Sequence, residues 1–355
     1  MYKLTPILLI LFLFSCDRKK NDQEQIGRTE VTQQANLDHK SFIGKDFLID
    51  DQHSYIGFKI KYFGFSPVRG RFNNFNGTMF LNKSDTSIFF TNIFIEVSSI
   101  NTGNKRRDND LTTEGTWFNQ KEFPSIGFQS KNVSKKPDGA FDLIGNLTIK
   151  GITKEVNVSF DKSTPLTKDW AGNDQIDFSG SVTINRQDFN VFGGDFWSTV
   201  MENGLTQLSD EVEIEIDIHA RRADYQIRYN EAEADDVNKM ILDRIKASDF
   251  TAGDKLMDSL FNQNKLTSGK YSSVGYTLNT WGMHEDALSI FQKRQKVYPK
   301  EITTPTQIGI TNLYLERLEE AEKNFQATLE KDSTNTRAVA YLRLLDLIKE
   351  NQNGR

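Results

Sequence analysis

DDQHSYIGFKIKYFGFSPVRGRF, residues 50–72, is the stretch whose reading decides the fold. From Tyr55 to Tyr62 it alternates strictly. Ile56, Phe58, Ile60 and Tyr62 fall on one face, and Tyr55, Gly57, Lys59 and Lys61 on the other. A period of two belongs to a strand with one face buried and one wet. Gly64, Pro67 and Gly70 then predict a bend before Arg71 and Phe72 resume. The same grammar recurs to about residue 222. Ile93, Ile95 and Val97 form one segment, Leu147 and Ile149 another, and Val156, Val158 and Phe160 a third. Phe178, Gly180, Val182 and Ile184 follow, and Val212, Ile214, Ile216 and Ile218 alternate with Glu213, Glu215 and Asp217. Gly and Asn cluster between the segments, at 101–104, 137–139, 172–173 and 193–194. Many strands with no convincing helix between them predict an all-β antiparallel barrel or sandwich. Closure into a barrel would remove the exposed edges. The exception is Asp110 to Glu122, where a helical turn is expected near Trp117-Phe118.

The chain has 355 residues, which allows about two domains and ample core. Its net charge of -5 and pI near 5.6 argue against nucleic acid as the main partner, since phosphate binding needs a concentrated basic surface. Phe, at 26 residues, far outnumbers Trp and Tyr, which suggests a thick apolar interior. A lone cysteine, Cys16, permits no intramolecular disulfide and no multi-cysteine metal site.

The position of Cys16 is more informative. Lys3 precedes an apolar run, Leu4 to Phe14, then Ser15 and Cys16. The run is too short to span a bilayer but fits the apolar core of a signal peptide. Leu13-Phe14-Ser15-Cys16 resembles the lipobox of bacterial lipoproteins, in which cleavage leaves the cysteine as a lipid-bearing N-terminus. An ordinary secretory signal with a chance cysteine is the alternative, though no A-x-A-like cleavage site is present. Acyl chains on Cys16 would hold the protein on a membrane. Asp17 to about Lys45 is polar and is expected to be a flexible tether.

The strings DDQHSYIGFKIKYFGFSPVRGRF (50–72), IEVSSINTGNKRRDNDLTTEGTWFNQKEFPSIGFQS (95–130), GNLTIKGITKEV (145–156) and LSDEVEIEIDI (208–218) resemble the YceI-like family, in that family's order and spacing. The resemblance covers about half the chain, residues 46–222. It implies an eight-stranded, lipocalin-like antiparallel barrel with a hydrophobic bore. Members bind long-chain polyisoprenoid lipids or isoprenoid quinones there, usually in the periplasm, and no catalytic activity is implied. The physics agrees: a bore lined with rings and β-branched side chains is a sufficient receptor for a slender tail without hydrogen-bonding groups. Phe58, Ile60, Tyr62, Phe65 and Phe72 are the lining candidates from the opening stretch, joined by Trp117 and Phe118. Packed core is the alternative for each ring, since small barrels commonly fill their own interiors. Two positions depart from the family. Many members carry histidine where Tyr62 and Asp110 stand. Tyr62 can still donate a hydrogen bond to a quinone oxygen; a carboxylate at Asp110 cannot.

Other constellations lead nowhere catalytic. Asp51, His53 and Ser54 suggest a triad, but His53 and Ser54 point to opposite faces of a strand and nothing marks an oxyanion hole. His39, His53, His219 and His284 are scattered without metal-ligand spacing. Arg106, Arg107 and Asp108 are expected to fix a strand-connecting loop, with gating of the barrel mouth as the other reading. Gly193-Gly194-Asp195 lacks the spacing of a phosphate loop.

After Arg222 the period turns helical. Gly275 and Gly309, Ala287 and Ala321, and Phe291 and Phe325 are each 34 positions apart. That period resembles the tetratricopeptide (TPR) repeat, with units at 265–298 and 299–332, a degenerate hairpin over 231–262 and a capping helix from Arg337 to Lys349. A TPR-like tail (223–355) implies either a surface for a protein partner or an appendage that packs on the barrel. The expectation is a membrane-anchored envelope lipoprotein, facing the periplasm or the cell surface, that binds an isoprenoid-type lipid. It needs no cofactor or metal, and its tail docks a partner. The alternative is a non-enzymatic interaction scaffold whose barrel is fully packed and binds no lipid.

Overall fold

The computed structural model describes residues 39–82, 87–224 and 236–353. The signal-like run, Cys16 and most of the polar stretch after it lie outside the described residues.

The alternating segments become strands, several of them bent into two pieces. Phe47–Ile49 (β1) and Tyr55–Tyr62 (β2) share one edge of Leu208–Arg222 (β12): Phe47 lies opposite Arg222, and Tyr62 opposite Leu208. Ser66–Phe72 (β3) and Phe75–Asn82 (β4) form the next bent strand, with β3 on β2 and β4 on β1. Ser87–Glu96 (β5) and Ile100–Asn101 (β6) form the third, paired to β4 and to the end of β3. Ser125–Lys135 (β7), Phe141–Ile149 (β8), Ile152–Phe160 (β9) and Asp174–Asn185 (β11) follow as a meander, with Thr167–Lys168 (β10) a short flap on β11. Eleven residue pairs between β11 and β12, from Gln175–Arg221 to Asn185–Glu211, close the ring. The result is a closed eight-strand antiparallel barrel.

The two faces of each strand match the alternation. Ile56, Phe58 and Ile60 point inward, while Lys59 on the outer face forms an ion pair with Glu213 of β12. The bend expected from Gly64, Pro67 and Gly70 is only partly observed. The chain turns at Phe63 and Gly64, both with positive φ, and Pro67 and Gly70 lie inside β3. Pro67 is tolerated because β6 reaches only Arg71 and Phe72, so its missing N–H falls on a free edge. Gly70 serves packing rather than turning. A Cβ there would stand 2.3 Å from Cζ of Phe58, its cross-strand partner, so the glycine leaves room for that ring inside the barrel.

After β6 the chain enters a helix that begins earlier than the sequence suggested. Lys105–Thr113 (α1) starts at Asn104, whose side chain accepts from the backbone N–H groups of Arg106 and Arg107 at 3.1 and 3.2 Å. The segment around Trp117-Phe118 is turn, not helix. A single turn, Asp195–Ser198 (α2), lies in the connection from β11 to β12.

Among the described residues seven helices follow: α3 (Asp236–Ala247), α4 (Phe250–Asn262), α5 (Ser268–Thr280), α6 (His284–Val297), α7 (Thr303–Tyr314), α8 (Leu318–Lys331) and α9 (Thr336–Asn353). The 34-residue correspondence is physical. A Cβ on Gly275 would lie 2.6 Å from the Phe291 ring, and one on Gly309 would lie 2.5 Å from the Phe325 ring. Each glycine lets the first helix of a hairpin sit directly on the aromatic ring of the second.

The tail is built into the outside of the barrel. Helix α9 lies across β4 and β5 and against the short 3-10 helix His39–Phe42. Phe42, Ile43, Phe80, Phe90, Tyr341 and Leu344 form a buried cluster at this seam, with Phe80 and Tyr341 edge-on at 5.3 Å. The tether expected to run to about Lys45 therefore ends by His39. From there the chain is fastened to the tail: the Tyr314 hydroxyl donates to the Ile43 carbonyl at 3.0 Å, and the Gly44 N–H donates to the Tyr341 hydroxyl at 2.9 Å. Asp46, fully buried, accepts from Arg337 Nε at 2.7 Å and from the Tyr341 hydroxyl at 2.7 Å.

Candidate functional site

Up-and-down strand order sorts the connections by end. The Phe63–Phe65 turn, the α1 segment, the Lys150-Gly151 turn and the α2 segment lie at one end. The β7–β8 and β9–β11 connections lie at the other. At this second end Phe141 and Phe160 stack at 5.2 Å and Phe178 meets Phe141 edge-on at 6.2 Å, which closes the floor. Above the floor the interior is open, with a cavity of about 470 Å³ that falls within the size range of ligand pockets. Its wall is almost entirely β-branched and aromatic: Ile60, Ile93, Phe128, Val156, Val182 and Ile214 come from six different strands. The deep polar group, Thr91, is already satisfied, since its hydroxyl donates to the Thr78 carbonyl at 3.1 Å. No residue of α3–α9 lines the cavity.

Polar groups gather at the open end. Tyr62, Arg106, Arg107, Asp110 and Glu114 all border the cavity there. Arg107 is committed locally: Nε donates to Thr102 Oγ1 at 2.8 Å and Nη2 to the Thr102 carbonyl at 2.9 Å. Asp108 accepts from the Thr102 N–H at 2.8 Å, so the Arg107–Asp108 pair fixes the entry to α1, while Arg106 and Asp110 remain at the mouth. The rest of the rim is stitched together from below. Lys150 Nζ donates to the carbonyls of Gly115 and Asn190 at 2.7 and 2.8 Å, and burial pulls its pKa below the usual lysine range. Arg186 is only 3% exposed. It donates to the carbonyls of Ser209, Val191 and Phe192 at 2.9, 3.0 and 2.8 Å and pairs with Asp210 at 2.9 Å. Burial lowers its pKa and Asp210 opposes the shift.

Six of the sequence candidates come together here. Phe58, Ile60, Tyr62, Phe72, Trp117 and Phe118 all line the cavity. Phe72 links the set, with its ring 6.0 Å from Phe58 and 6.1 Å from Phe118. Phe65 is a correction. It follows the positive-φ pair of the turn, points away from the bore and is 81% exposed. Arg186 and Trp197 were missed. Arg186 was legible, because the alternation Phe178, Gly180, Val182, Ile184 carried one step further places it inside. Trp197 follows the two glycines with no periodicity to reveal it, yet its ring stands 6.1 Å from Tyr62 and 6.4 Å from Trp117. The triad lure resolves into structure: His53 Nδ1 meets Asp50 at 2.9 Å, while the Ser54 hydroxyl accepts from the His219 N–H of β12 at 2.9 Å. Among the described residues no group of three His, Cys, Asp or Glu is placed to hold a metal, and no helix is long and apolar enough to cross a membrane.

A closed barrel with one floored end, an apolar bore and a polar mouth is the architecture of a protein that encloses a slender apolar molecule. Residues 47–220 match the YceI-like domain, and the chain belongs to the YceI-like family. It is 33% identical over 153 residues to a UPF0312 protein of Yersinia pestis (strain Pestoides F), covering 42% of this chain and 78% of that one. Among solved structures it is similar to Burkholderia cenocepacia BcnA, with TM-score 0.41 and 23% identity over 48% of this chain and 98% of that one. It is also similar to the Campylobacter jejuni YceI protein, with TM-score 0.39 and 26% identity over 48% of this chain and 95% of that one.

Proposed function

We propose that the barrel binds a long, slender isoprenoid-type lipid, a polyprenyl lipid or an isoprenoid quinone, with the tail in the bore and the head at the Tyr62 end. The carrying observation is the open, apolar cavity of about 470 Å³, floored at one end and with its polar side chains, Thr91 apart, gathered at the other. Each methylene taken from water contributes about 0.8 kcal/mol, so a long tail is held without polar contacts along its length. The reading is one of binding, not catalysis. It is supported by family membership and by a wall that offers a ligand almost no hydrogen-bonding groups. The lipobox-like string ending at Cys16 supports a place on a bacterial membrane, facing the periplasm or the cell surface. A protein partner of the tail would use helix surfaces away from the seam, because α7 and α9 already hold the chain's own segment 39–46.

Solvent extraction of purified protein followed by mass spectrometry tests the lipid. The expected result is a polyprenyl or quinone species in near-stoichiometric amount. No bound lipid, together with no uptake of added quinone or polyprenyl lipid, overturns the reading. The rival, a scaffold with a fully packed barrel, requires a filled bore, and the open volume contradicts that requirement.

A further inference from the structure

Large apolar side chains that face solvent are not spread evenly over this protein. Among the described residues eight are conspicuous, and five of them lie together: Tyr62 at the end of β2, Phe65 in the turn that follows it, and Phe196, Val200 and Leu205 in the loop around α2. These two segments touch. The Phe63 N–H donates to the Gln207 carbonyl at 2.7 Å, a Cβ on Gly64 would stand 2.4 Å from Leu205 Cδ1, and the Tyr62 and Trp197 rings stand 6.1 Å apart. Together they make one apolar crest, with Phe65 81%, Phe196 59% and Val200 63% exposed.

We infer that this crest inserts into the surface of a phospholipid bilayer and sets the barrel mouth on it. Three observations select that occupant. The crest is continuous with the bore, since Tyr62 and Trp197 belong to the cavity lining and their neighbours to the crest. A crest joined to an apolar channel fits a surface that supplies apolar molecules. It is also made of separate side chains on loop tips, with aromatic rings prominent, which suits shallow entry at the interface and offers no groove or sheet edge to a peptide. Exposed charges within or next to these segments are of both signs, with Lys61 against Asp195 and Glu202, so no oppositely charged protein surface is selected. The described tail helices pack on the outer wall at β4 and β5, and none of their residues lines the bore. The 22 residues between Cys16 and His39 reach about 75 Å at full extension, so a lipid anchor would not prevent the mouth from facing the same membrane.

The test uses the full chain carrying Cys16→Ser, so that no acyl anchor contributes, with one polarity-sensitive fluorophore on a new cysteine. One protein carries Val200→Cys on the crest and the other Trp170→Cys in the β10 region at the far end. Neutral phosphatidylcholine vesicles are added. The expected result is a blue shift at position 200 and none at 170, little changed by salt, with apparent partitioning reduced about tenfold or more by Phe65→Ser, Phe196→Ser and Leu205→Ser together. Those three side chains are exposed, and an unchanged melting temperature verifies the fold. No shift at 200, or equal shifts at both positions, overturns the inference. A shift at 200 that rises with protein concentration without vesicles also overturns it and assigns the crest to a second copy of the chain. Extraction of the same sample reads the bore separately. An empty bore with the shift present rejects the lipid-binding reading alone, and a loaded bore without the shift rejects the docking alone.

Discussion

Asp46 Oδ2 lies 2.7 Å from Arg337 Nε, and the two residues come from opposite sides of the seam between barrel and tail. Asp46 is fully buried and Arg337 largely so, and the Arg337 guanidinium also reaches the Tyr276 hydroxyl. Removing one partner from such a pair strands the other charge in the interior. Arg337→Met is expected to destabilise the protein by about 3–5 kcal/mol, read from chemical denaturation. A loss under about 1 kcal/mol would mean that the apolar cluster around Tyr341 holds the seam by itself.

The same pair sets a pH dependence. Burial alone would raise the pKa of Asp46, but Arg337, the Tyr341 hydroxyl and Arg222 together hold it below its ordinary 3.8. A carboxyl depressed in the folded state contributes stability that is fully present above its unfolded pKa and is lost as pH falls through the folded value. The seam is therefore expected to be at full strength above about pH 4 and to weaken below it. Thermal unfolding of wild type and Arg337→Met across pH 2–7 checks this. The gap between the two should narrow at the acid end.

Filling the bore should abolish ligand uptake while sparing the fold. Ile60 and Val182 are partly buried and face the open cavity from two strands. Ile60→Trp with Val182→Trp places two rings in the path of a tail. Displacing even two methylenes costs about 1.6 kcal/mol, more than tenfold in affinity. Quinone uptake measured beside circular dichroism separates exclusion from unfolding.

Tyr62 should select the head rather than the tail. Tyr62→Phe keeps the ring near Trp197 and removes only the hydroxyl. A single neutral hydrogen bond is worth about 0.5–1.5 kcal/mol, so quinone affinity is expected to fall a few-fold, while that of a polyprenyl lipid lacking a carbonyl stays unchanged. Equal losses for both ligands would assign Tyr62 to packing alone.

The barrel was legible because its strands carry a period of two, and six of seven bore candidates follow from that parity and the family strings. Phe65 was misplaced because a turn with positive φ at Phe63 and Gly64 breaks the parity that a linear reading extends. Trp197 lies in a loop where no period operates, so only tertiary proximity reveals it. That the tail packs on the barrel was one of two readings, but the residues of the seam were hidden for another reason. Phe80, Phe90 and Tyr341 read as ordinary core residues of their own domains, and nothing local records that they meet. Helix starts also shifted where side chains, not periodicity, define them, as Asn104 does for α1.

The fastening of segment 39–46 has a kinetic consequence. Asp46 and Arg337 are 291 residues apart in sequence, and His39 and Leu347 are 308 apart. The barrel is complete once β12 has been made, but the segment just before β1 finds its partners only when α9, more than a hundred residues later, has left the ribosome. Until then Phe42 and Ile43, with Phe80 and Phe90 on the barrel wall, have no tail to cover them. Closing the seam is a late, long-range step, slow by its loop length, and the period before it is when a nascent chain of this protein most exposes apolar surface.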